Sequence, residues 1–253
     1  MTGPHVHVPF DRIEKYLSFI KQYRINIEVY FSSASLDATG YSDIARLKER
    51  LDYGPDLTIH APFMDLSPGA VDSKVRTATV ERFTQIFDVA EVLNPKAIVF
   101  HSGYEKWKYA LRTDLWLEQS IPTWRPFVSR AADMGLKMAI ENIFEEDPLN
   151  LRLLMEEINS EHFGVCFDTG HFNLFSKVPL DDWLQQLKPY ILELHLHDND
   201  KTSDAHAALG EGSFGFAELF TILRDKELIH TIEAHSPEDV LKSIERLKAY
   251  APL

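Results

Sequence analysis

What most constrains this chain is a repeat of short apolar or alternating runs separated by stretches of helical spacing. The runs are His5–Phe10, Ile25–Phe31, Leu57–Phe63, Ala97–His101, Met138–Asn142, Gly164–Asp168, Ile191–His197 and Ile229–Ala234. Each is rich in Val, Ile, Leu or Phe, and most end in a polar residue followed by Gly, Pro, Ser or Asn, the punctuation of a strand entering a loop. The clearest helical stretch, Val75–Leu93, places Val75, Thr79, Phe83, Ile86, Phe87, Ala90 and Leu93 on one face. Asp72 or Ser73 starts it and Asn94-Pro95 stops it. Leu115–Met134, Leu149–Asn159, Leu180–Leu187, Phe216–Asp225 and Pro237–Tyr250 read the same way. Strands alternating with helices, and no Ser/Gly-rich linker to divide them, predict a single-domain (β/α)8 TIM barrel over residues 1–253. A doubly wound open sheet is disfavoured, because His7-Val8-Pro9-Phe10 stands where its glycine-rich dinucleotide loop would be.

Charge narrows the partners. Lys and Arg number 26 against 39 Asp and Glu, a net charge of −13, which argues against holding duplex nucleic acid or an anionic membrane by electrostatics. A small-molecule substrate, anionic ones included, stays open because one or two local cations can outvote the global field. Cys166 stands alone in an apolar run, which fits a reducing compartment. Met1-Thr2-Gly3-Pro4 lacks a signal-peptide pattern, and no apolar run approaches the roughly 18 residues of a membrane span. The expectation is a soluble cytoplasmic protein. The loops around Phe172–Phe175 are the candidate surface for a homo-oligomer.

The strand ends carry the chemistry. Six consecutive strands finish on a metal-competent side chain: His60, His101, Glu141, Asp168, His195 and Glu233. Side chains alternate along a strand, so Thr58, Val99, Ala139, Cys166, Glu193 and Thr231 share the inward face, while Ile59, Phe100, Ile140, Phe167, Leu194 and Ile232 face the helices. Among the inward set Glu193 has no evident role. In a parallel barrel these strand ends converge on one mouth. Carboxylates gathered there with Asp204 repel one another or hold protons unless a divalent cation joins them, and His with Asp/Glu suits zinc or manganese. In the loops, His171 follows Asp168-Thr169-Gly170, and Asp204 and His206 lie two apart ahead of Gly210-Glu211-Gly212. Asp198 and Asp200 read as a solvated acidic turn.

Taken in order, His60-Ala61-Pro62, His101-Ser102-Gly103, Glu141-Asn142, Asp168-Thr169-Gly170-His171, His195-Leu196-His197-Asp198, Asp204-Ala205-His206 and Glu233 resemble the xylose isomerase-like TIM barrel superfamily. That superfamily holds the sugar phosphate isomerases and epimerases and the endonuclease IV-like enzymes of AP endonuclease family 2. In the isomerase branch the resemblance implies one metal on Glu141, Asp168, His195 and Glu233, with Glu141 and Glu233 also the acid and base. In the endonuclease branch it implies three: one on His60, His101 and Glu141, one on Glu141, Asp168, His195 and Glu233, and one on His171, Asp204 and His206. The short Phe63-Met64-Asp65-Leu66 segment and the acidic charge depart from duplex-DNA readers.

Two enzymes and one binding protein follow as expectations. The first is a metal-dependent isomerase or epimerase of a small sugar, keto-sugar or sugar phosphate, with Glu141 and Glu233 moving the proton on carbon. There His171 and Lys201 would anchor oxygens and Trp107 would form an apolar wall. The second is a phosphoester hydrolase of a small molecule that uses two or three metals. The third is a barrel that keeps its donors only to bind metal or ligand. The cofactor in each case is a divalent cation, zinc or manganese, one to three per chain.

Overall fold

In the computed structural model, which describes residues 3–251, eight parallel strands close into a barrel in chain order. They are β1 (His5–Pro9), β2 (Asn26–Tyr30), β3 (Leu57–His60), β4 (Ala97–His101), β5 (Lys137–Glu141), β6 (Phe163–Asp168), β7 (Ile191–Leu196) and β8 (Ile229–Ile232). Each of the eight runs in the sequence overlaps one of them. Residues 1, 2, 252 and 253, including the Met1-Thr2 start used above, lie outside the described residues.

The helices are α1 (Ile13–Tyr23), α2 (Ser33–Ala38), α3 (Tyr41–Arg50), α4 (Ser73–Leu93), α5 (Thr113–Met134), α6 (Leu149–Ile158), α7 (Thr169–Phe175), α8 (Leu180–Leu187), α9 (Phe216–Ile222) and α10 (Pro237–Tyr250). Capping works as the sequence suggests. The Asp72 carboxylate accepts from Lys74 N–H, Asn94 takes the left-handed conformation that ends α4, and the Ser236 hydroxyl accepts from Asp239 N–H at the start of α10. Helices α1, α2, α3 and α7 add to those the spacing predicts. Their apolar stripes are short, only Ile13, Leu17 and Ile20 in α1, and are interrupted by charge.

Alternation divides the strand residues as expected. Ile59, Phe100, Ile140, Phe167 and Leu194 point outward and are buried in one continuous core with the helices, whereas Val99, Ala139 and Cys166 form a separate small cluster inside the barrel. The barrel is a packed interior beneath a polar mouth. One seam is short: β1 pairs with β8 only at His5–Thr231 and Val6–Ile232, while β1 and β2 pair from His5–Asn26 through Pro9–Tyr30. Above Val6 and Ile232 the wall is therefore unzipped. Among the described residues no helix is long and apolar enough to cross a membrane.

Candidate metal centre

The six strand-end residues meet. Glu141, at the end of β5, lies at the hub, 1% exposed. Its Oε2 is 3.0 Å from His60 Nε2 and 3.2 Å from His101 Nε2, and its Oε1 is 3.1 Å from His171 Nδ1 and 3.6 Å from His195 Nδ1. Glu233 is a second bridge, its Oε1 3.2 Å from His195 Nδ1 and its Oε2 3.3 Å from His206 Nδ1. Asp204 reaches in from its loop, with Oδ2 3.4 Å from His171 Nε2 and 3.3 Å from His206 Nε2.

Local chemistry explains how these side chains are held. Asp168 caps α7 by accepting the His171 N–H at 2.6 Å, so the Asp-Thr-Gly-His stretch is the first turn of a helix, not the loop expected. Gly170 is required there, because a Cβ would sit 2.0 Å from Cε1 of His197. The imidazoles are fixed by hydrogen bonds. His60 Nδ1–H donates to the Ala61 carbonyl at 2.9 Å, which leaves its Nε2 lone pair toward Glu141; His171 Nδ1, which lies beside Glu141, donates to the Asn142 carbonyl at 3.1 Å and leaves Nε2 toward Asp204.

His195 is held the same way, its Nε2–H donating to Glu28 Oε2 at 3.3 Å. Its Nδ1 is buried without a hydrogen-bond partner, 3.2 Å from Glu233, 3.6 Å from Glu141 and 3.9 Å from Asp168. A buried nitrogen without a hydrogen-bond partner, ringed by three carboxylates, fits a cation in place of its proton. The whole donor set, imidazole and carboxylate, suits zinc or manganese. Electrostatics agrees. Burial alone would raise Glu141 and Glu233, yet His195 and His101 around the first and His7 and His195 around the second hold both well below the usual carboxylate range. Burial likewise opposes charge on His171, His195 and His206, and their carboxylate neighbours outweigh it. A cation would take over that neutralising role from the protons.

Three residues belong to this cluster that the strand-end pattern missed. His7 of β1 donates to Glu28 at 2.9 Å and lies 3.1 Å from Glu233, and these two carboxylates lift it to about 10 against burial. Glu28 of β2 links His7 to His195. His197, one residue past β7, contacts both Asp168 oxygens at 3.0 and 3.1 Å and stacks on His206 at 4.0 Å. The signals were present: His7 shares the inward face of its strand, and Glu28 is a lone charge in an apolar run. Glu193 lies one layer below, its carboxylate accepting from the Thr231 hydroxyl at 2.5 Å.

Trp107 and Lys201, expected to touch substrate, both lie exposed and off the lining of the cavity beside Glu233 and His206. Tyr104 and Tyr109 stack on each other and turn toward the core, leaving Trp107 74% exposed beneath the Lys106 ammonium. Lys201 sits exposed at a loop tip with φ of 70°, and no ion pair or side-chain hydrogen bond joins it to the donors. Asp200 is solvated as expected, but Asp198 is fully buried. It accepts backbone N–H groups from Asn199, Gly210, Gly212 and Phe214 and ties down the loop that carries Asp204 and His206.

A family model described as xylose isomerase-like TIM barrel matches residues 26–250. The chain belongs to the xylose isomerase-like TIM barrel family. Members and neighbours differ in their descriptions. MJ1311 of Methanocaldococcus jannaschii, of uncharacterised function, is 30% identical over 216 residues, 82% of this chain and 73% of its own. A probable endonuclease 4 of Mycoplasmoides gallisepticum is 27% identical over 202 residues, 72% and 64% of the two chains. Among solved structures, the TTHB071 protein from Thermus thermophilus, soaked with zinc chloride, is 29% identical with a TM-score of 0.84 and coverage of 99% and 98%. A D-tagatose 3-epimerase-like protein is 27% identical, again with a TM-score of 0.84, over 97% and 96%. The family thus spans epimerase-like and endonuclease-like proteins on one barrel.

Proposed function

We propose that this family member is a multi-metal phosphoester hydrolase acting on a small phosphorylated molecule. One observation carries the reading: the two oxygens of Glu141 face two different sets of histidines, His60 and His101 on one side and His171 and His195 on the other. A carboxylate placed this way bridges two cations, as in sites that clamp both oxygens of a displacement at phosphorus. A proton shuttle needs an oxygen open to a substrate carbon, and Glu141 has neither open.

His60, His101 and Glu141 would hold one ion, Glu141, Asp168, His195 and Glu233 a second, and His171, Asp204 and His206 a third. Bound there, such ions supply Lewis acidity and charge neutralisation at a phosphoryl group. The protein's own part is to fix ring orientation through Ala61, Asn142 and Glu28, and to keep water away from Glu141 by burial. The cavity that Glu233 and His206 line would admit the ester's departing group. The histidine-rich set favours zinc over manganese. The net charge of −13 and the short segment after His60 point away from duplex DNA and toward a small ester.

A second reading, isomerisation or epimerisation at a sugar carbon, draws on the likeness to the epimerase-like protein and on Glu141 and Glu233 flanking His195 from two sides. One experiment separates the two. Protein purified without chelator is assayed for metal by mass spectrometry, for cleavage of bis(p-nitrophenyl) phosphate, and for deuterium uptake into ketohexoses. About three metals with phosphoester cleavage is the expected result; one metal with deuterium uptake would replace it by the second reading.

A further inference from the structure

The donors open onto a cavity of about 310 Å³ that leaves the mouth sideways. His7, Glu233 and His206 line its inner end. It then crosses the rim where β1 and β8 have stopped pairing and runs over the outer face of β1, between α1 and α10. That outer part is walled mainly by Val8, Tyr16, Phe19, Ile20 and Val240, with the polar groups Arg12, His235 and Ser236 also on the lining. Arg12 is the only Lys or Arg on the lining, and among the described residues it forms no ion pair.

A short seam would ordinarily be closed by side chains from the flanking helices. Here the unzipped strands, the continuity with Glu233 and His206, and a volume at the lower end of ligand pockets coincide at one place. We infer that this gap is a lateral subsite for an apolar, ring-sized substituent of the substrate, whose polar head lies at the donor cluster. The substrate class is then an aryl-bearing phosphoester, not a bare sugar phosphate: a polyhydroxylated chain would leave its hydroxyls unpaired against Val8, Phe19, Ile20 and Val240, at a desolvation cost. Arg12 at the rim would offer a permanent cation to an anionic ester approaching an acidic protein. The inference rests on the donors holding metal, and its test separates the two.

Zinc-loaded full-length protein is titrated calorimetrically with acetohydroxamate, benzohydroxamate and 2-naphthohydroxamate, which share a metal-chelating head and differ in the apolar group. The expected result is affinity rising along the series, with the naphthyl compound about ten-fold tighter than the acetyl one. V240W, which fills the gap from α10, should erase that ratio, and V240F, a smaller intrusion, should reduce it; thermal melting checks that both fold. Equal affinity across the series in the unaltered protein would overturn the subsite alone. Failure of every hydroxamate, acetohydroxamate included, would overturn the metal reading and the subsite with it.

Discussion

The two ends of the donor cluster share their chemistry and differ in what lies over them. On the β3–β5 side, His60 and Glu141 are buried and Phe63 stacks on one face of His101 at 4.1 Å, continuing to Tyr30, while the His101 side chain stays 16% exposed, close to the 19% of His206. On the β8–β1 side, His7, Glu233 and His206 face a cavity that reaches the surface. An imidazole backed by aromatic rings and a buried carboxylate has fewer waters to compete for its partners; those beside a cavity can meet a substrate. The contrast teaches that retention of ions and encounter with the ester are divided between opposite walls of one barrel.

The largest effect that would sharpen this division is Glu141→Gln. Losing the bridging charge should release metal from both neighbouring sets and lower turnover by more than the roughly 10–100-fold that partners one layer out usually cost. Metal content by mass spectrometry and turnover of the phosphodiester check it together. Next comes the pair His101→Ala and His206→Ala. Each variant removes one ligand of a three-residue set, so each should lose one ion and turnover; the open side should also release its remaining metal to a chelator faster than the covered side. Equal release rates in the two variants would break the comparison outright.

Glu28→Gln tests the support beneath. Glu28 touches His195 and His7 and does not face the mouth, so its loss should weaken metal affinity by roughly 10–100-fold with the fold intact, as measured by competition with a chelator. The smallest effect concerns Glu193, which burial first and the Glu28 charge next push up to about 8. The folded protein keeps a proton there that the unfolded chain has released. Its contribution to stability is therefore complete below the ordinary carboxylate value of 4.5 and drains away as pH rises toward 8. Glu193→Gln should flatten that decline in thermal melts of the chelated protein between about pH 5 and pH 8.

Much of the site was legible because a strand has a period of two and a barrel gathers its strand ends. Those two facts place His60, His101, Glu141, Asp168, His195 and Glu233 without coordinates. His7 and Glu28 escaped because they lie below the last residue of their strands, where inward-facing positions read as packing, and His197 because it follows His195, which already filled the strand-end position of its run. Trp107 and Lys201 lie away from the donors because loop direction is set by which neighbours the core claims. Tyr104 and Tyr109 claim it, and nothing in local spacing announces that. Asp198 reversed its expected setting for a related reason: backbone N–H groups from residues 12 to 16 positions downstream return to it. No window on the sequence is wide enough to show them.

That knot at Asp198 also makes the tip between its two anchored ends a replaceable cassette. Its base is stapled to the barrel, so residues can be inserted or deleted around Asp204 while strand order and helix packing stay as they are. Of the nine donors the resemblance supplied, Asp204 is the one carried on that tip, while His206 is held at its base by the Asp198–Ala207 pairing and its stack on His197. A lineage exploring new esters, or a designer doing so deliberately, would find its adjusting screw there.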